Sequence, residues 1–474
     1  MSAPTAAPEP LAETEDTAVH VPNRRNVELG LLALALIIGM FAYANVDLAV
    51  LGDLPPNFLA VGAVFIVLLG GAHLAVRYLA PYADPFLLPA AALLNLLGLA
   101  MIRRLDLADE QRAARQEIGT PSPDVVPQLT WTALALALFV AILFFVHDHR
   151  RLQKYTYTAM VLGVLLLLSP LIPGLGTTVN GANLWIRLGP LSFQPSELAK
   201  IMLTIFFAGY LVVTRDSLAL VRRKVLGLGI PRGRDLGPIL VAWGVSMAVL
   251  VFQRDLGTAL MFFGLFVVLL YVSTQRRSWL VIGAILFVVG AVLGYFAFGH
   301  VRLRVEVWLD TWTYASDQGY QIAQSLFGLA NGGMLGTGWG QGYPQFVPFA
   351  KTDFITAALG EELGVTGLMA ILTVYGIIIE RGLRTAIAVR DPFGKLLAVG
   401  FATVIGLQLF VVIGGVTRLI PLTGLTTPFL SYGGSALVAK MPMLAEAPAA
   451  TVTSVDVAAV VPTARIVACA IPPP

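Results

Sequence analysis

The chain has 474 residues, of which 57% are hydrophobic and only 12% charged, and its formal net charge is +3. Soluble domains carry roughly 45–50% apolar and about 25% charged residues, so a water-soluble globular architecture is excluded. The slight positive balance follows from basic loops and indicates no nucleic-acid partner, and a single cysteine, Cys469, rules out an intramolecular disulfide or a multi-cysteine metal site.

Residues 1–27 form a tail rich in Ala, Pro, Thr and Glu that is predicted to be disordered and cytoplasmic. It lacks the basic start and apolar core of a cleavable signal, so the first apolar run is expected to be a retained anchor. Runs near spanning length then recur at 28–45, 57–79, 85–102, 129–146, 155–172, 196–213, 236–252, 256–273, 279–298, 354–379 and 396–413, with a twelfth starting near Phe429. A helix satisfies its own backbone in lipid. The expected fold is therefore an all-α polytopic membrane protein of about 12 transmembrane helices.

Basic clusters choose the orientation. Arg24 and Arg25, Arg150 to Lys154, 215–234, Arg276 and Arg277, and 381–395 all fall on one side, which places the N-terminus in the cytoplasm. Segments 174–193, 299–351 and 415–428 then lie outside. No fixed-period or inverted repeat is visible, and the chain divides into N-terminal membrane helices with an external connector (28–128), a membrane core (129–439) and a Pro/Ala-rich tail (440–474). Within the first part, 103–128 mixes charges with three prolines and reads as exposed loop. The segment 299–351 is too long for a mere connection. Its run YQIAQSLFGLANGG spaces Ile322, Leu326 and Leu329 as a short amphipathic helix suited to the lipid interface.

Ionisable groups beside apolar spans are costly, so those that persist mark a pathway or a site. Glu197 and Lys200 in FQPSELAK are three apart and share a helix face, which fits an ion pair at a capped helix start as well as a site. Asp255 in FQRDLGTAL has the position of a helix cap. Asp353 in KTDFITAALGEELG opens a long span directly after the large loop, with Glu361 and Glu362 two turns later. SYGGSALVA fits a phosphate-binding nest or close helix packing through small residues.

Read in order, NGANLWIRLG, SFQPSELAK, DLGTAL, GYQIAQSLFGLANGGMLGTGWGQG, KTDFITAALGEELGVTG and LTGLTTPFLSYGGS resemble the RodA/FtsW/SpoVE (SEDS) family, membrane glycosyltransferases that build peptidoglycan, over about 181–438. The extra N-terminal spans and the wording RLIPLTGLTTPF resemble actinobacterial, elongation-type members. The resemblance implies polymerisation of lipid II, with a growing lipid-linked glycan as donor and the GlcNAc 4-hydroxyl of lipid II as acceptor, at the outer face of the cytoplasmic membrane, for cell elongation and shape. It places the essential aspartate on Asp353, and it implies a class B penicillin-binding transpeptidase as partner, since no penicillin-binding motif set is evident in this chain. A carboxylate there can take the proton of the attacking sugar hydroxyl, and the lipid pyrophosphate that leaves needs positive charge rather than a proton.

The expected substrate-binding set is Glu197, Lys200, Trp185, Arg187, Arg302, Arg304, Gln321 and Lys351, with Asp255, Gln194, Ser431, Gly433 and Gly434 supporting. A divalent cation, magnesium or manganese, is the expected cofactor. Three features depart from the family pattern. Asn183 and Leu184 stand where a basic pair often precedes Trp-Ile, and Lys351 stands where many members have His. After Ala439 the apolar helix gives way to a Pro/Ala-rich sequence, so an incomplete last helix is expected. The competing functions are a lipid II flippase or other polytopic transporter, and a non-catalytic scaffold for the transpeptidase. A carrier places its charges at mid-membrane, whereas here they cluster at helix ends.

Overall fold

The computed structural model describes residues 24–452 except 118, 120, 147, 180–181, 189–190, 220–222, 226–227, 231–240, 242–243, 246 and 249–250. In chain order its main helices are α1 (Arg25–Leu51), α2 (Phe58–Leu79), α3 (Leu87–Gln116), α4 (Val125–Phe145), α5 (Thr156–Leu168), α6 (Pro195–Ala219) and α7 (Leu256–Thr274). There follow α8 (Ser278–Ala297), α9 (Gly299–Leu309), α10 (Tyr320–Gly332), α11 (Ile355–Ala388), α12 (Pro392–Val416) and α13 (Gly434–Val452). Among the described residues nine of these, α1–α4, α6–α8, α11 and α12, are long and apolar enough to cross a membrane, with α5 a shorter apolar helix. The run expected at 236–252 lies largely outside the described residues, as do most of the N-terminal tail and Cys469.

Burial follows position in the bundle. The helix α3 runs through its interior, with Leu94, Ala100, Met101 and Ile102 fully enclosed, whereas α8 buries only Trp279 and Gly283 and turns the rest of its apolar surface outward. That outward surface is the expected face toward lipid. Gly98 is required on α3 because a Cβ there would overlap the carbonyl of Leu430, so its absence lets the helix touch the loop that precedes α13.

Four sequence expectations are revised. The charged stretch expected as exposed connector is largely helix: α3 continues to Gln116, and Arg104 and Asp106 are buried within the protein. Hydropathy ended the span at Ile102 because it cannot see that these charges are paired. Second, YQIAQSLFGLANGG forms α10, but Ile322 is 3% exposed and packs into the protein core, with Leu326 and Leu329 against it, so that flank meets protein instead of lipid. Third, the last helix does not stop at Ala439. It runs to Val452, 19 residues or roughly 28 Å, because Lys440 finds an ion-pair partner and Met441, Met443 and Leu444 are buried. Fourth, part of 174–193 folds into an antiparallel sheet of order β1 (Gly176–Val179), β2 (Ala182–Leu188) and β3 (Leu191–Phe193).

Candidate active site

The site is assembled at the start of α11. Phe349 adopts a left-handed backbone (φ 57°), and its carbonyl accepts the amides of Thr352 (3.0 Å) and Phe354 (3.2 Å), a tight turn that presents Asp353 just ahead of the helix. The side chain of Asp353 does not cap α11, whose N-cap residue is Phe354. Its carboxylate is half-buried, and a Cβ added to Gly424 would lie 3.6 Å from Oδ2, so the loop after α12 walls it closely.

The loop before α13 clamps this turn. The Ser431 hydroxyl donates to the Thr352 carbonyl (2.5 Å) and accepts from the Thr427 amide (2.8 Å), while the Tyr432 amide donates to the Lys351 carbonyl (2.8 Å). The Gly433 amide reaches Gln128 Oε1 (3.5 Å), and Gly434 has no room for a Cβ against the Trp131 ring. SYGGS therefore works here through close approach to the turn and to α4.

Arg304, on α9, is the cation brought to Asp353. Its Nη1 donates to the carbonyls of Leu422 (3.1 Å) and Thr423 (2.9 Å), which pins the guanidinium beside the loop that walls the carboxylate. Burial lowers the affinity of Arg304 for its proton, and the charges of Asp255 and Asp353 act to restore it. Burial also pushes Asp353 up to about 6; Thr352 and the charge of Arg304 pull it down, and the charge of Asp255 adds to the rise. Asp255 caps α7 by accepting the Thr258 amide (3.0 Å), and its Oδ2 is buried without a hydrogen-bond partner among the described residues.

Glu197 and Lys200 form a second, enclosed cluster at the start of α6. Lys200 Nζ donates to Glu197 (2.7 Å) and Gln408 (3.3 Å), Lys440 reaches the other oxygen of Glu197 (3.3 Å), and Gln408 donates to the Thr426 carbonyl (2.7 Å). This chain of contacts ends on the loop that walls Asp353. Gln194 takes part through its carbonyl, which accepts the Glu197 amide (3.2 Å).

The other expected site residues are dispersed. Trp185 and Arg187 share one face of β2, opposite the buried Ile186, and Arg187 is exposed. Arg302 is exposed and stacks 5.4 Å over the Tyr295 ring, away from the Arg304 contacts. Gln321 is half-buried in the first turn of α10. Lys351 is not a vacant cation, because its ammonium lies 2.8 Å from each of Asp106, Asp109 and Asp124. Those carboxylates outweigh the opposing effect of burial and hold Lys351 protonated.

Sequence reading missed Arg104, Gln408 and Lys440. Glu361 and Glu362 stood out only by spacing, and they organise the loop that follows α10. Glu361 accepts from Asn331 (3.0 Å) and the Tyr343 amide (2.9 Å), and Glu362 accepts from Arg104 (3.0 Å) and the Gly340 amide (3.1 Å). They lie just before a break in α11 at Gly364 (φ 67°, ψ −173°), where a Cβ would overlap the Gly336 nitrogen.

This arrangement coincides with a known family. The cell cycle protein family FtsW/RodA/SpoVE matches residues 85–446, from just before α3 into α13. The chain belongs to the FtsW/RodA/SpoVE family. Over 426 residues it is 50% identical to the peptidoglycan glycosyltransferase RodA of Mycobacterium tuberculosis, covering 90% of each chain. It is 36% identical over 299 residues to a probable peptidoglycan glycosyltransferase FtsW of Geobacter metallireducens, covering 62% of this chain and 76% of that one. Among solved structures, it is similar to RodA of Thermus thermophilus (25% identity, TM-score 0.54, 79% of this chain and 98% of that one). It is also similar to a chain of a peptidoglycan synthase complex that coordinates polymerization and crosslinking (26% identity, TM-score 0.60, 79% and 99%). The α1–α2 hairpin precedes the family match.

Proposed function

We infer that this FtsW/RodA/SpoVE member is a peptidoglycan glycosyltransferase that polymerises lipid II at the outer face of the cytoplasmic membrane, with Asp353 as general base. The observation that carries the reading is a carboxylate at the mouth of α11, not used to cap the helix, walled by the loop at Gly424 whose neighbouring carbonyls, Leu422 and Thr423, anchor the Arg304 guanidinium. The 4-hydroxyl of the acceptor sugar gives its proton to Asp353 as its oxygen bonds to the donor's anomeric carbon. The bond from that carbon to the lipid pyrophosphate breaks, and the pyrophosphate leaves as an anion drawn toward Arg304. A positioned base contributes about 10²–10⁴-fold, and a carboxylate ionising near 6 is available at neutral pH without being too weak a base.

Among the described residues no three metal-binding side chains converge. Magnesium is nonetheless held in many phosphate sites by one or two carboxylates together with substrate phosphates. Asp255, whose Oδ2 has no hydrogen-bond partner among the described residues, and Asp353 are the carboxylates that would hold such an ion, which would supply positive charge to the leaving group. The basic loops at the opposite ends of the helices support an N-terminus in the cytoplasm. The expected partner is a class B penicillin-binding transpeptidase, which would cross-link the strands made here; membrane lipids and the lipid-linked glycan meet the bundle from the side.

Purified full-length protein with labelled lipid II tests the reading. Asp353→Asn is expected to lose polymerisation by about 10²–10⁴-fold. Equal product from both proteins removes Asp353 from the mechanism, and translocation of lipid II without polymer in proteoliposomes makes the protein a carrier.

A further inference from the structure

We propose that the last turns of α3 are a clamp for the catalytic turn and that Lys351 is its positioning residue, fixing the backbone that carries Asp353. The proposal rests on the reading of Asp353 as the base.

Charged residues of α3 grip several parts of the molecule. Arg103 pairs with Asp47 of α1 (2.8 Å). Arg104 pairs with Glu362 beside the break in α11 (3.0 Å) and donates to the Gly342 carbonyl of the preceding loop (2.7 Å). Asp106 and Asp109 take the Lys351 ammonium at 2.8 Å each, and Asp106 also accepts the Val125 amide at the start of α4 (3.2 Å). Asp124, just before α4, completes the set at 2.8 Å. The helix that packs the N-terminal hairpin therefore also holds the residue two positions before Asp353.

The charge balance separates positioning from substrate binding. Three carboxylates face one ammonium, so the cluster is net negative and repels a pyrophosphate, although Lys351 is adjacent in sequence to the site. The main chain at Lys351 and Thr352 is tied through its carbonyls to Tyr432 and Ser431, and the Lys351 side chain ties the same turn to α3. Removing that tie frees the turn toward α3 and leaves three carboxylates repelling one another. A displacement of about 1 Å of a reacting group is enough to cost on the order of 10²-fold in rate.

The test is steady-state kinetics of full-length protein with lipid II. Lys351→Met is expected to lower kcat by about tenfold or more with KM unchanged. Lys351→Arg, which can still reach the carboxylates, restores most of it. Lys351→Met combined with Asp106→Asn, Asp109→Asn and Asp124→Asn removes the repulsion but not the lost tie, so kcat stays low. If Lys351→Met does not remain monodisperse in detergent, Asp109→Asn carries the test, since its carboxylate is the most exposed of the three, and it is expected to lower kcat at unchanged KM. Wild-type kcat in Lys351→Met, or in Asp109→Asn where that variant carries the test, overturns the proposal. So does a higher KM at constant kcat, which makes Lys351 a substrate contact, and so does failure of Lys351→Arg to rescue. Asp353→Asn measured in parallel separates the two ideas, because its full activity defeats the base assignment while the Lys351 result still reports on the clamp.

Discussion

Arg104 and Glu362, 258 residues apart in sequence, meet at 3.0 Å inside the bundle and join α3 to the break in α11. Each has a second duty on the loop between α10 and Asp353, Arg104 at the Gly342 carbonyl and Glu362 at the Gly340 amide. One ion pair thus fixes the loop, the kinked helix and the interior helix together.

Breaking a buried pair by removing one partner strands the other charge, at a cost of about 3–5 kcal/mol. Arg104→Met and Glu362→Leu are each expected to lower the detergent melting temperature clearly, and the double replacement to lose less than the sum. A thermal unfolding series on the four proteins checks this.

Arg304 and Arg302 differ by two positions and should differ sharply in effect. Arg304→Ala removes the guanidinium beside Asp353 and its anchors on Leu422 and Thr423, and should lower the polymerisation rate by about 10²-fold, as for loss of a preorganised charge stabiliser. Arg302→Ala removes only an exposed stack on Tyr295, worth about 0.5–1 kcal/mol of stability, and should leave the rate near wild type. Initial rates with labelled lipid II decide between equal and unequal effects.

The pH profile follows from Asp353 ionising at about 6. A base acts when deprotonated, so the rate should rise with pH, tenfold per unit well below that value, and level off above it. Stability runs the other way: the native state holds this proton more tightly than the unfolded chain, so the contribution is full below the ordinary carboxylate range and is lost as pH rises through about 6. Rate and melting temperature measured over the same pH series should therefore diverge.

Ser431→Ala deletes a hydroxyl that both supports the Thr352 carbonyl and satisfies the Thr427 amide. Leaving a buried group unpaired costs about 1–3 kcal/mol. Reduced kcat with nearly unchanged KM is expected, and Ser431→Thr should recover part of it.

Much of the site was legible because its strings are local. FQPSELAK placed Glu197 and Lys200 on one helix face, and the pair is present, but the expected cap is not: the helix begins at Pro195, the Ser196 hydroxyl is buried without a hydrogen-bond partner among the described residues, and the Glu197 carboxylate is taken by Lys200 and Lys440. The position of Asp353, after a long loop and just ahead of a span, was legible, and the structure has it in the turn before α11. Lys351, next to it, was read as a substrate cation because the sequence does not reveal that Asp106, up to 245 residues away, neutralises it. Arg302 and Arg304 looked alike for the same reason, since only packing turns one toward the loop at Leu422 and the other toward Tyr295.

Hydropathy fixed by itself that the chain crosses a membrane many times, because the apolar excess has no other place to go and each span carries its own backbone hydrogen bonds. It misjudged the end of α3 and how far the last helix extends, where charges such as Arg104, Asp106 and Lys440 are buried at no more than 5% exposure. A residue's cost in the interior depends on the partner it meets there. That partner lies on another helix, and only the tertiary structure brings the two together.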